Sequence, residues 1–447
     1  MLAHLQQRLR DAHQLDQLNL SYYLGTRRVP QLGMAIPPNA RDFWTFLNWP
    51  RVLVNTKEQR QQVRALILPG EETADPQLRA IWDANNLDAD LTLFNTDRMV
   101  FGRAFLSAGS NEDDPELPII QVESPMEMSA SVDVRRRRLR AAAKFHYEMT
   151  DSGRRGDMLA TLYLPDQTIW CRRGQDGLWV EDAERDVHNL GAVPIVMHLN
   201  RRRTGVWTGE SELTDIIPLV DAAGRTMTNM QFAVESHGIP RIIATAVSKG
   251  DFTDPKSGKL IPQWEQYFNA VWTLTNKDAK VFNLTPADLK NFETALNLYG
   301  RQAATLTGFP ARYFGLFTSN PPAEGAIRAD EANLVQDVER DNATTGTTIG
   351  WAMGLARRIV TGEWTSGNQI RVEWHDPATP TVAQREDALA KRRAAGALSR
   401  EGYWDEIGWS EARKAKERAY FEAELGADPV LALGREMAAS SGIRSGG

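Results

Sequence analysis

A single cysteine, Cys171, stands among the 447 residues. One thiol excludes an internal disulfide scaffold and a cysteine-rich zinc site. Long apolar runs are also missing. The nearest approach, Ile349 to Leu355, is far short of the ~18 residues a membrane span needs and runs into Arg357 and Arg358. The N-terminus has no apolar core of the kind a secretory signal carries, so a soluble protein of the cytoplasm, or of an assembly built there, is expected. A cationic excess is absent too. Lys and Arg total 52 against 58 Asp and Glu, a formal net charge of −6. That balance excludes a polybasic DNA-coating protein, which must displace counterions from many phosphates. The chain has no His-Glu-x-x-His, Cys-x-x-Cys, Gly-x-Ser-x-Gly or P-loop pattern, and Ser257-Gly258-Lys259 lacks the upstream glycine and following hydroxyl of a nucleotide cradle. No cofactor is expected.

What is present is a long chain with enough apolar residues for two or three packed units. Residues 1–24 read as an amphipathic helix with Leu2, Leu5, Leu9 and Ala12 on one face and Gly25 as its stop. A proline-punctuated stretch with Phe43, Trp44, Phe46 and Trp49 reads as an ordered loop. Residues 75–95 read as one helix carrying Leu78, Ile81 and Trp82. Alternating segments at 119–123, 142–149, 157–164, 167–172 and 178–181, separated by turn residues, predict a small antiparallel β unit, and 193–198 a further strand.

Two long helices follow. In the first, about 211–237, Ile216, Val220, Ala223, Met227, Met230 and Val234 recur at spacings of four and three, which places them on one stripe; Pro218 fits only in a first turn or a kink. The second, about 286–307, has a start signal in Thr285-Pro286-Ala287-Asp288 and a stripe of Leu289, Phe292, Leu296, Tyr299, Ala303 and Leu306. Between them, short strands at 241–246, 271–275 and 280–284 predict a compact insert. A loop rich in Gly, Pro, Ser and Asn (315–326) precedes a third long helix at 327–360, with a soft middle at Thr344-Thr345-Gly346. A strand at 369–375 and a helical segment at 381–425, anchored by Tyr403, Trp404 and Trp409, complete the ordered part. The tail from 426 reads as disordered.

Several features admit two readings. His146 and Glu148 share one face of a strand, and the favoured reading is a polar pair on a surface strand; the rival reading joins them with His188 as a metal-dependent hydrolase site. Cys171 reads as a small buried residue. The runs Arg135-Arg136-Arg137-Arg138 and Arg201-Arg202-Arg203 either touch phosphates or form solvated or acid-paired faces. Gly346, Gly350 and Gly354 form a small-residue stripe that marks close helix approach. A helical pair with an insert at its far end makes a stalk with a tip, a shape that gains stability when copies pack side by side in a ring.

In order of elements and in local pattern the chain resembles the portal proteins, or head–tail connectors, of tailed double-stranded DNA bacteriophages. The residues that carry the resemblance are Gly209-Glu210-Ser211-Glu212-Leu213 and the helix after it, ending at His237-Gly238-Ile239-Pro240, together with Thr285 to Asp288 and the helix that leaves through Thr307-Gly308-Phe309-Pro310 to Gly315. The resemblance implies an α+β portal-type subunit: an α/β wing (1–205), a first stem helix (206–238), a small β-containing clip (239–284), a second stem helix (285–309), a tunnel loop (310–326), a long wing helix with a return strand (327–380), a helical crown (381–425) and the tail (426–447). It implies a non-enzymatic ring of twelve subunits at one capsid vertex, the channel for packaging and ejection of double-stranded DNA. The expected partners are the terminase large subunit, then a head–tail adaptor, with major capsid and scaffolding proteins during assembly. The wider alternative is another structural virion protein, such as a minor capsid or connector subunit.

On that resemblance, Thr318, Ser319, Asn320, Pro321, Pro322 and Glu324 are the expected DNA-proximal residues, and Lys277, Lys280 and Lys290 the candidate channel cations. Ile216, Val220, Met227, Met230, Leu289, Phe292, Leu296 and Tyr299 become the stem packing stripe. The charge takes on a second meaning: twelve copies at −6 carry about −72, which favours sliding over gripping.

Overall fold

The computed structural model describes residues 1–28, 45–150, 153–237, 242–248, 276–283, 289–316, 324–378, 382–407 and 411–427, with isolated positions 251, 253, 258, 260 and 409. Residues 1–377 form one compact unit and 378–447 a second.

The first unit opens with helix α1 (Leu2–Leu24), closed by Gly25 in the left-handed region at φ 73°, as the sequence predicts. Helix α2 (Trp49–Glu58) occupies part of the stretch read as loop; Pro50 lies in its first turn, where a missing N–H is no loss. The helix expected over 75–95 is two helices, α3 (Pro76–Ala84) and α4 (Leu87–Phe101). The break is at Asn85 and Asn86, the latter at φ 51°. The Asn85 side chain donates to the carbonyls of Ile81 and Pro118 and accepts from the N–H of Ile120, so the interruption is held by a strand that a continuous helix would not reach.

Strand β1 (Val63–Ile67) pairs antiparallel with β12 (Arg371–Trp374), some 300 residues away. Strands β2 (Arg103–Gly109), β3 (Ile119–Glu123) and β9 (Ile195–Leu199) form a three-stranded sheet with β2 in the middle. The segment expected at 119–123 is thus β3 of this sheet, and the predicted β unit holds for its other four segments. These are β5 (Arg138–Met149), β6 (Arg155–Tyr163), β7 (Thr168–Arg173) and β8 (Trp179–Glu181) of an antiparallel meander whose first strand is the unpredicted β4 (Met128–Asp133). Alternation sends its two faces to different cores. Ala141, Ala143, Phe145, Ala160 and Cys171 pack with Leu2 and Leu5 of α1, while Ala142, Met128 and Ala130 pack with Phe105 and Ile195. Cys171 is buried, and burial pushes its thiol pKa up, as expected of a packing residue.

Helix α5 (Ile217–His237) starts later than the expected 211 because Pro218 has to lie in the first turn. A two-stranded sheet of β10 (Ile242–Thr245) and β11 (Lys280–Asn283) follows, then helix α6 (Lys290–Thr307), which packs on α5. The expected start at Thr285 to Asp288 and the strand at 271–275 lie outside the described residues. After a 3-10 turn (Ala311–Phe314), helix α7 (Glu324–Thr361) runs without interruption through the expected soft middle. Thr344 and Thr348 turn their hydroxyls back onto the helix's own carbonyls, and Thr345 is fully buried. At 1.5 Å per residue, the 38 residues of α7 extend roughly 57 Å.

That length lets α7 serve two cores. Leu334 and Val338 join α2, α4, α5 and α6 through Leu53, Val54, Met99, Ile216, Val220 and Ala303. Ile349, Ala352, Met353 and Ala356 join α3, α4 and the sheets through Leu78, Ile81, Trp82, Phe94 and Leu106. The glycine stripe meets the loop before β12 and β12 itself, not a second helix. A Cβ on Gly350 would lie 2.3 Å from the carbonyl oxygen of Gly367, and one on Gly354 2.6 Å from that of Thr365.

The second unit contains α8 (Val382–Ala394), α9 (Arg400–Glu406) and α10 (Glu411–Ala427). Trp404 is its buried anchor, stacked against Trp409 and Phe421 at 5.5 and 5.8 Å.

Candidate functional site

The densest charge chemistry lies where α7 crosses from one core to the other. Lys57, on the buried face of α2, has a side chain only 1% exposed, with its Nζ 2.7 Å from Asp337, 2.8 Å from Asp341 and 3.6 Å from Glu212. Burial opposes its charge, but Glu212, Asp341 and Asp337 outweigh it and hold the ammonium pKa above its usual value. Arg98 of α4 is fully buried beside it. Its guanidinium donates to Asn95 (3.1 Å), Asn200 (3.0 Å) and Gln61, and reaches Asp341 at 3.5 Å. Burial raises the Asp341 pKa, but Arg98 and then Lys57 lower it more, and the carboxylate stays ionised.

Amides complete the shell. Asn200 donates to Glu212 and to the carbonyl of Glu210, both at 3.0 Å, and Gln61 donates to Asn342 at 2.9 Å. A buried ion pair persists when its remaining donors and acceptors are met in this way. His198 stands next to the junction and bonds Thr348 at 2.9 Å; burial, then Arg98, pushes its pKa down to about 3, so the ring is neutral.

A second station lies one helical stretch toward the start of α7. Arg60 meets Glu331 at 3.3 Å, Tyr313 at 3.2 Å and the carbonyl of Pro377 at 2.9 Å. Arg312 meets Asp330 at 2.7 Å and also Glu331. At the base of α5, Tyr22 donates to Asp221 at 2.7 Å; burial, then Asp221, pushes the phenol up to about 12. The entrance to α5 (Glu210, Glu212), the exit of α6 (Arg312, Tyr313) and the N-terminal helices are thus tied to one acidic face of α7. Nothing in this set pairs a nucleophile with a base; it fixes the angles at which long helices leave a common hub.

The expected site residues fall in several places. Thr318, Ser319, Asn320, Pro321 and Pro322 lie outside the described residues, and Glu324 is the first residue of α7. Lys277 and Lys280 are exposed in and before β11, and Lys290 is exposed as the first residue of α6. Of the stripe, Ile216 and Val220 are buried in the subunit's own core, and Leu296 and Tyr299 pack against it. Met227, Met230 and Phe292 are half-buried, and Leu289 is exposed.

His146 and Glu148 do share a face of β5, but Glu148 pairs with Arg172 at 3.3 Å, and His188 accepts the N–H of Leu190 in a loop. Among the described residues no three His, Cys, Asp or Glu side chains gather as metal ligands, so these residues assemble no metal centre. Arg201 and Arg203 reach Asp215 (2.7 Å) and Glu210 (3.9 Å), and Arg202 stacks on Trp207 at 3.8 Å. The hub residues carried one local signal in the sequence. Glu331 and Asp341 interrupt the apolar stripe of Leu334 and Val338, and a charge on an apolar face needs a buried partner.

Comparison with known proteins gives the functional context. Residues 4–427 match the family described as phage portal protein, SPP1 Gp6-like. The portal protein of Mycobacterium phage D29 is 33% identical over 427 residues, covering 93% of this chain and 86% of its own. That of Mycobacterium phage L5 is 32% identical over 421 residues, covering 91% and 85%. Among solved structures, a chain of the neck of a native gene transfer agent particle, computed with C12 symmetry, aligns with TM-score 0.43 and 13% identity over 80% of this chain and 89% of its own. A chain from the virion of such a particle aligns with TM-score 0.48 and 14% identity over 89% and 99%. With nearly the whole sequence matched by the family and about a third of it identical to two portal proteins, this chain belongs to the SPP1 Gp6-like family of phage portal proteins.

Proposed function

We propose that the chain assembles as a closed ring of twelve at one capsid vertex and forms the channel through which double-stranded DNA enters and leaves the particle. The observation that carries this reading is the family match over residues 4–427, which takes in α5, the β10–β11 pair and α6 in one stretch. In this reading α5 and α6 are the stem, the β10–β11 region is the clip, and residues 1–205 with α7 form the wing. The 381–425 segment is the crown. The clip docks the terminase large subunit during packaging and a head–tail adaptor afterwards, and capsid and scaffolding proteins meet the ring as the shell is built in the host cytoplasm. No energy-converting step falls to this chain; the motor supplies it.

Residues 310–326 serve as the tunnel loop, with 318–324 nearest the DNA and Lys277, Lys280 and Lys290 as weak cations along its path. Short polar groups touch phosphates without reading bases, which suits a passage. Electron microscopy of the purified protein tests the ring: annular particles with a central hole are expected, and compact monomers overturn the reading. Deleting 318–324 is expected to leave rings intact and to impair DNA packaging or retention; normal packaging and retention overturn the loop assignment.

A further inference from the structure

We propose that the hairpin joining β4 and β5 is a docking finger for the sugar–phosphate backbone of duplex DNA, separate from any contact inside a channel. The last pairing of β5 with β6 is Ala142 with Tyr163, whereas β4 and β5 continue to pair as far as Asp133 with Arg138. Beyond Ala142 the two strands have only each other as sheet partners. Within that ribbon Ala141 is still buried against α1 and Leu139 packs on the Phe105 core, so the part that stands free is the turn itself, Val134 to Arg137, with Arg138 and Arg140 exposed beside it.

Arg135, Arg136, Arg137, Arg138 and Arg140 are all exposed on this ribbon. None of the five guanidinium groups has an ion pair, hydrogen bond or ring contact among the described residues. The contrast with Arg201, Arg202 and Arg203 is direct, since each of those has a carboxylate or an indole. The one acid in the finger, Asp133, is used to shape it: its Oδ1 accepts the backbone N–H groups of Arg135 (3.0 Å) and Arg136 (3.1 Å). Arg137 takes the turn's left-handed position at φ 54°. Four cations in succession over a turn point around the ribbon, not toward one face. That distribution fits a regular polyanion better than a fixed set of carboxylates.

Two further observations choose duplex DNA over an acidic protein segment. A two-stranded ribbon is narrow enough to enter a major groove with phosphates on both sides. The tip also offers little apolar anchorage, Val134 being its exposed apolar residue, whereas protein hot spots centre on buried aromatic or aliphatic groups.

The test uses the full-length protein and covalently closed circular duplex DNA, which cannot thread a closed ring. Its outcome is therefore independent of the channel reading. A variant combining Arg135→Gln, Arg136→Gln, Arg137→Gly and Arg138→Gln removes the charge and keeps the turn; circular dichroism and the oligomer's mass confirm its integrity. Binding is measured against salt. Four lost phosphate contacts lower the slope of log K against log[salt] by about 3–4. Replacing the same four residues with lysine is expected to keep the slope near wild type. An unchanged slope in the Gln/Gly variant overturns the proposal. So does polyglutamate, at matched charge, binding the wild type more tightly than the DNA, because that assigns the finger to an acidic protein.

Discussion

Lys57 makes the sharpest case at the scale of single residues. Three carboxylates face one buried ammonium, so Lys57→Met removes the cation they share, leaving Asp341 with Arg98, Asp337 with Arg340 and Glu212 with the Asn200 amide. Removing one partner of a buried ionic set costs about 3–5 kcal/mol, which urea unfolding of the variant should reveal. A loss below about 1 kcal/mol would mean that water already shares the site.

His198 on β9 and the half-buried Asp97 on α4 oppose each other in their pH dependence. His198 has its folded pKa depressed to about 3, so the unfolded chain binds the proton first. Its contribution is fully present above the unfolded value of about 6.5 and is lost as pH falls toward 3. Asp97 has its carboxyl pKa raised to about 7 by burial, so the folded chain holds the proton first. Its contribution is full below about 3.9 and is lost as pH rises through 7. Between about pH 4 and 6.5 the two slopes cancel. Asp97→Asn should therefore unmask the histidine: stability of the variant rises with pH by about 1.4 kcal/mol per unit in that window, while the wild type stays flatter. Urea titrations across the window check it, and parallel slopes would refute the pairing.

At the scale of elements, α7 depends on how close the loop before β12 comes to it. Gly350→Ala drives a methyl into the Gly367 carbonyl oxygen, an approach of 2.3 Å that only a shift of backbone relieves. Overpacking of this kind typically costs 1–3 kcal/mol, or about that much here. Gly325→Ala, in the first turn of the same helix and facing open space, should instead be neutral or stabilising by up to about 1 kcal/mol. Thermal unfolding of the two variants should separate in opposite directions.

Periodicity made α1, α5, α6, α7 and strands β5 to β8 of the meander legible, because each carries its own apolar repeat over enough residues to count. It failed for α2, β1, β2 and β4. Helix α2 is short and starts at a proline beside aromatics, which reads as loop. Strand β1 exists because β12 completes it, and no local pattern encodes a partner that far along the chain. The break between α3 and α4 is set by Asn85 reaching Pro118 and Ile120, again a tertiary cause. Beyond Glu331 and Asp341 on the apolar stripe of α7, the hub was illegible for the same reason: its charges come from α2, α4, α7 and the segment before α5, each contributing one or two ordinary polar residues.

For the whole molecule, α5 and α6 pose a question of where their apolar surface goes. The base of the α5–α6 pair is consumed within the subunit by Ile216, Val220, Leu296, Tyr299 and Ala303. Apolar side chains also remain outside: Val234 on α5, Leu298 and Leu306 on α6, and Leu289 just before it, are 41–57% exposed. In the proposed ring they face neighbouring copies. Covering Leu298 and Leu306 contributes about 2–4 kcal/mol per interface at ordinary transfer values, repeated around the closed circle. Leu298→Glu with Leu306→Glu replaces that gain with a desolvation cost and, in a chain already at −6, adds repulsion between copies. The exposed positions make no demand on the subunit's own core, so the variant should keep wild-type circular dichroism while sedimenting as monomers or small oligomers. Rings of unchanged mass from this double variant would show that the subunits are held elsewhere, through the wing or the crown, and that the leucines serve the channel wall or an external partner.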